Sequence, residues 1–83
     1  MNFFYIYVLK SLKGKKVTYV GYTKNLKNRL KLHNEGKAAK FTRGRKWKLI
    51  YKEKYRSKKT AMSREHHIKK NRKLRISIIK KFS

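Results

Sequence analysis

The chain has 83 residues, of which 27 are Lys or Arg and three are acids, giving a formal net charge of +24. One small domain spanning residues 1–83 is expected, burying only about 60–65% of its unfolded surface, and self-repulsion on this scale favours binding to a polyanion, nucleic acid first. The lack of cysteine excludes disulfides and thiolate metal sites, while 39% hydrophobic and 13% aromatic content, arranged in runs, argues against a disordered tail.

Met1-Asn2 runs directly into apolar residues, without the charged region and small-residue cleavage site of a signal peptide. No window approaches the ~20 apolar residues of a membrane span. A basic membrane-surface helix would have to stand nearly alone, whereas here Lys and Arg decorate several elements. A soluble, cytoplasmic protein with no membrane partner is expected.

Phe3 to Leu9 (FFYIYVL) is apolar at every position, aromatic and β-branched, and short; it reads as a central strand covered on both faces. A loop from Lys10 to Lys16, with Gly14 as its turn residue, leads into a second strand, Val17 to Tyr22. In a hairpin of these two, Tyr7 and Tyr19 can share a face. Thr23 or Asn25 then caps a helix whose buried stripe is Leu26, Leu30 and the Leu32/His33 region, and Gly36 ends it. Ala38 to Arg45 is a basic connector with room for one helical turn, punctuated by Gly44.

Trp47 to Tyr55 (WKLIYKEKY) alternates as a half-exposed edge strand. Trp47, Leu49, Tyr51 and Tyr55 are read on one face and mostly lysine on the other. Glu53 interrupts the apolar face and is a candidate to pair with a buried base. Ser57 or Thr60 opens a helix carrying Ala61, Met62, Glu65, Ile68 and Lys69, and Asn71 interrupts it. A last amphipathic helix has Leu74, Ile78, Ile79 and Phe82 as its stripe. The expected fold is α+β: ββαβαα, a three-stranded antiparallel sheet with the first strand central and helices packed on it.

The acids are few enough to limit the chemistry. Glu35, Glu53 and Glu65 are scattered, which argues against a two-metal site and leaves room for one ion held by one carboxylate and several waters. Glu65 is the best candidate ligand, although on the residues alone an ion pair with Lys69 or Lys58 is the favoured reading. His66 and His67 point about 100° away from each other on a helix and read as solvated. Arg29 and His33, at i and i+4, share one helical face. A guanidinium there suits a charged transition state, and a histidine titrates near neutrality without help. Tyr7 and Tyr19 could donate to a phosphate or relay a proton, whereas Tyr5, Tyr51 and Tyr55 read as core. Lys24, Lys27, Lys31, Lys37, Lys40, Arg43, Arg45, Lys46 and Lys69 are candidates to neutralise phosphates.

Taken together, these residues resemble the GIY-YIG nuclease superfamily over nearly the whole chain, Asn2 to Lys80, and its small single-domain members most. Tyr5-Ile6-Tyr7 stands where GIY lies and Tyr19-Val20-Gly21 where YIG lies. Lys24 to Leu30 resembles the helix bearing the family's arginine, and Ala61 to Lys69 the helix bearing its metal-binding glutamate. Tyr5 replaces the first glycine and Val20 the middle residue of the second motif, positions that supply no catalytic atoms. Asn71 and Ser77 are the candidates for the polar residue that closes the site in some relatives.

The resemblance implies a metal-dependent DNA endonuclease with one Mg²⁺ or Mn²⁺ ion and no small-molecule cofactor. Tyr7 and Tyr19 would be the motif tyrosines, one activating the attacking water and the other positioning phosphate. Arg29 would stabilise developing charge, His33 would lie close to the nucleophile, and Glu65 would hold the metal, which reverses the order of its two readings. The competing class is a non-catalytic basic DNA- or RNA-binding protein on the same fold, and a third is an RNA-directed module, since exposed aromatics and base-rich strands also suit single strands.

Overall fold

A computed structural model of the chain describes residues 3–12 and 17–82; Gly14, read as the hairpin turn, lies outside the described residues. Three strands, β1 (Phe4–Ser11), β2 (Thr18–Thr23) and β3 (Trp47–Tyr55), form one antiparallel sheet in the order β2-β1-β3. The helices are α1 (Leu26–Asn34), α2 (Lys58–Lys70) and α3 (Arg72–Phe82), with a 3₁₀ turn at Lys40–Thr42. The α+β order ββαβαα and the central position of β1 agree with the sequence pattern. Among the described residues, no helix is long and apolar enough to cross a membrane.

β1 is apolar at every position because each of its faces meets a different core. Ile6 and Val8 join Val20, Ile50, Ala61, Ile68 and Ile78 on the face covered by α2 and α3. Tyr7 and Leu9 join Trp47 on the other, where Leu26 and Leu30 of α1 pack. The sheet is thus enclosed between α1 on one side and α2 with α3 on the other.

The single apolar face expected for β3 is corrected. Val8 pairs with Tyr51 and Leu9 with Leu49, so Ile50 is an extra residue on β3, a β-bulge. One inserted residue reverses the inside–outside parity of everything beyond it. Trp47 and Leu49 therefore pack with the α1-side core, while Ile50, Tyr51 and Tyr55 pack with the α2/α3-side core.

The helix ends follow from their local sequence. Thr23 Oγ1 accepts from the Asn25 N–H, and Asn25 Oδ1 accepts from the Asn28 N–H at 3.0 Å, so Asn25 is the cap. Gly36 (φ 76°) ends α1, with its N–H bonded to His33 O and the Lys37 N–H to Leu32 O. That paired closure needs a left-handed residue, which glycine adopts without strain. The Asn34 side chain accepts from the Trp47 N–H and donates to Trp47 O, tying the end of α1 to the start of β3. Ser57 caps α2, and Asn71 both ends α2 and caps α3 through its Oδ1 and the Leu74 N–H.

Glu53 pairs with a base, as anticipated, although that base, Arg64, is half-buried rather than buried. Arg64 of α2 grips its carboxylate with both prongs, Nε to Oε1 at 2.9 Å and Nη2 to Oε2 at 3.0 Å, and the Tyr51 and Tyr55 hydroxyls donate to the same two oxygens. Burial raises the Glu53 carboxyl pKa, but the bonds from Arg64, Tyr51 and Tyr55 outweigh it and leave it below its ordinary value. Burial and the bond to Glu53 push the Tyr55 phenol up to about 12. This four-residue network ties α2 to β3.

Candidate active site

Along β2, one of the two edge strands of the sheet, lies a cleft of about 620 Å³. It is lined by Tyr7, Tyr19 and Gly21 from the sheet, Asn28 and Arg29 from α1, and Lys58 and Glu65 from α2. An edge strand is where elements covering opposite faces of a sheet can meet, which is how α1 and α2 contribute to one cavity. Tyr7 and Gly21 are direct cross-strand partners, as are Leu9 and Tyr19. The Tyr7 ring lies across Gly21 so closely that a Cβ on that glycine would stand 2.6 Å from the Tyr7 hydroxyl and 3.0 Å from Tyr19 Cε2.

Behind the cleft is a fixed chain of hydrogen bonds. Tyr7 Oη lies 2.8 Å from His33 Nε2, and His33 Nδ1 lies 2.9 Å from Thr42 Oγ1. The Thr42 hydroxyl has one proton, which it gives to Ala39 O at 3.0 Å. It must therefore accept from His33 Nδ1–H, which leaves Nε2 as the acceptor for the Tyr7 O–H. Burial lowers the His33 pKa below 6.5 and the Arg29 guanidinium acts in the same direction, so the ring is neutral at pH 7. Tyr7 is held well above its ordinary phenol value: burial raises it most, Tyr19 and Glu65 add to this, and Arg29 opposes them. Tyr19 is raised as well, by burial and then by Glu65, again against Arg29.

Of the five residues singled out for chemistry, Tyr7, Tyr19, Arg29 and Glu65 line the cleft. The sequence spacing places Arg29 and His33 on one helical face; Arg29 lines the cleft, whereas His33 is only 1% exposed and reaches the cleft through Tyr7. Its ring lies edge-on to Tyr7 (centroids 5.8 Å) and tilted to Tyr19 (4.9 Å). Glu65 does pair with Lys69, at 3.8 Å, while Lys58 lines the cleft. Among the described residues no three His, Cys, Asp or Glu side chains converge as a metal cage. His66 and His67 are exposed. Asn71 is taken up in capping α3, and neither it nor the exposed Ser77 lines the cleft.

The basic candidates divide by position. Lys24 lines the cleft, and Lys27 and Lys31 line a shallow groove with Asn25 and Asn28 along α1. Lys69 places its ammonium 5.9 Å from the Tyr19 ring centre. Lys40 and Arg43 are exposed and Arg45 half-buried on the connector. Sequence reasoning missed three residues here. Asn28 lines the cleft beside Arg29, Thr42 sets the His33 tautomer, and Phe41 lies against Tyr19. Nothing in a local pattern distinguishes Thr42 or Phe41 from any other loop residue.

Comparison with known proteins adds to this geometry. The family model described as the GIY-YIG catalytic domain matches residues 3–77. A UPF0213 protein of Clostridium perfringens is 47% identical over 76 residues, covering 87% of this chain and 80% of its own. One from Streptococcus agalactiae is 45% identical over 78 residues, covering 92% and 86%. The solution NMR structure of a UPF0213 protein from Bacillus halodurans superposes with a TM-score of 0.54 at 34% identity, covering 94% of this chain and 83% of that one.

Proposed function

The chain belongs to the GIY-YIG family, in its UPF0213 group, and from that premise we propose that it is an endonuclease hydrolysing DNA phosphodiesters with one divalent cation. The observation that carries the proposal is the Tyr7–His33–Thr42 chain ending in a cleft that also holds Arg29 and Glu65. Tyr7 directs its proton into a neutral imidazole. The phenol oxygen can then take a proton from an attacking water as its own proton passes to His33 Nε2. That coupled transfer avoids a free phenolate, which burial disfavours. Arg29 offers forked donors to the oxygens that gain charge in the pentavalent state, and the Tyr19 hydroxyl orients the phosphate.

Glu65 fits a hard cation of the Mg²⁺ or Mn²⁺ kind, which is commonly held by one or two carboxylates with water and substrate phosphate completing the shell. Among the described acids Glu65 is the one that lines the cleft, so the donor set suits a single ion. Such an ion, when bound, would polarise the phosphoryl oxygen and acidify water.

A non-catalytic nucleic-acid binder is the reading favoured by the +24 charge, which exceeds what one cleavage site requires. The two readings separate in one experiment: the purified protein and Glu65→Gln, incubated with single-stranded, duplex, nicked and branched DNA in Mg²⁺, Mn²⁺ or EDTA. Metal-dependent cutting that is lost in the variant supports the endonuclease. Tight binding without cutting under every condition would replace it with the binder.

A further inference from the structure

Phe41 is 54% exposed, a phenyl ring on the surface of a strongly basic protein. Single exposed apolar residues are ordinary; the surroundings of this one are not. The Phe41 ring is stacked against Tyr19, with centroids 6.2 Å apart and planes 24° apart, and a tilted Trp47 ring lies 6.2 Å from it. Tyr19 lines the cleft, so Phe41 extends an aromatic row from the cleft out to solvent. Phe82 is comparably exposed, but its aromatic neighbour is Tyr51 of β3, which is not a cleft residue.

The backbone carrying Phe41 is held in place. The next residue, Thr42, is fully buried, bonded to His33 through its hydroxyl and to the Trp47 indole N–H through its carbonyl at 3.0 Å. The Thr42 and Arg43 N–H groups close the 3₁₀ turn on Ala39 O and Lys40 O. A ring carried on backbone held in this way needs no ordering of the main chain when something stacks on it. The same short connector carries exposed Lys40 and Arg43, cations of the kind that suit phosphates.

We propose that Phe41 is a stacking platform for an unpaired base of the DNA strand that enters the cleft, giving the protein a preference for DNA with a single-stranded flank. This rests on the reading that the cleft receives DNA. Inside a duplex both faces of each base are covered by neighbours, whereas an unpaired base offers a free face to an aromatic ring.

The test uses a forked DNA oligonucleotide with 2-aminopurine at its first unpaired position, and a fully paired duplex of the same length. Both are titrated in EDTA, so that the reading does not depend on cleavage. Wild type is expected to quench the probe and to bind the fork more tightly than the duplex. Phe41→Ala should lose the quench, with fork affinity falling about tenfold toward that of the duplex. Phe41→Trp should keep both properties. Phe41→Leu retains an apolar cover over Tyr19 and Trp47 but has no π face, and should follow the alanine variant. Quenching and fork preference unchanged in Phe41→Ala and Phe41→Leu would overturn the proposal. Stacking by a wild-type protein that cuts no DNA in Mg²⁺ or Mn²⁺ would sink the endonuclease reading and leave this one standing.

Discussion

Gly21 faces Tyr7 directly across the β1–β2 ladder, and the place where a Cβ would stand is 2.6 Å from the Tyr7 hydroxyl and 2.8 Å from its Cζ. Because Tyr7 is itself buried and tied to His33, its ring has little room to retreat. Gly21→Ala is therefore expected to displace the Tyr7 ring or bend the strand, at a cost of about 1–3 kcal/mol. The melting temperature should fall and cleavage should be lost together. An alanine variant as stable and as active as wild type would refute this close approach as a constraint.

Tyr7 and His33 make activity and stability depend on acid in the same direction. His33 titrates below 6.5 in the folded chain and near 6.5 when unfolded. The unfolded chain thus takes up the proton first as pH falls. The stability from neutral, buried His33 is complete above about pH 6.5 and lost as pH drops through the lowered value. Protonated His33 also cannot accept from the Tyr7 hydroxyl, so the cleavage rate should show an acid limb with its midpoint below 6.5. Removing the acceptor with His33→Ala should reduce the rate by about 10²–10⁴-fold and abolish that limb, read from a pH–rate profile.

The Glu53–Arg64 grip should matter more than a surface ion pair, because two tyrosine hydroxyls share it and both partners are half-buried. Glu53→Gln leaves the Arg64 charge without its counter-ion and should cost about 1–3 kcal/mol, measured by urea unfolding. Glu53 is held below its ordinary pKa. The contribution of the grip is therefore present above the unfolded carboxyl value and lost as pH falls through the lowered one. Arg64 directly precedes Glu65, so the same substitution should also weaken any metal-dependent activity beyond its effect on folding.

Charge and chemistry should come apart in the cleft. Glu65→Gln should abolish metal-dependent cutting while leaving the salt dependence of DNA binding nearly as it was. Replacing Lys24, Lys27 and Lys31 together by Ala should lower the log–log salt slope by about 0.9 for each phosphate that is no longer neutralised. A slope unchanged in that triple variant would place DNA elsewhere on the surface.

What could be read in the chain itself was periodic and local. The apolar run of β1, the choice of Thr23 or Asn25 and of Ser57 or Thr60 as caps, and the closing Gly36 each depend on neighbours within one element. The element order followed from them. The order and spacing of the tyrosine, arginine and glutamate motifs likewise pointed to the family.

Tertiary structure decided the rest, because it turned on register and on contacts between distant elements. The Ile50 bulge, one extra residue with no mark in the sequence, moves Tyr51 and Tyr55 to the opposite core from Trp47 and Leu49. The free edge of β2 lets Glu65 of α2 share a cleft with Arg29 of α1. His33 lies under Tyr7 because α1 packs on that face of the sheet, and Thr42 sets its tautomer because the connector folds back onto the end of α1. Periodicity states which side of an element is buried; packing alone decides which side chain meets it there.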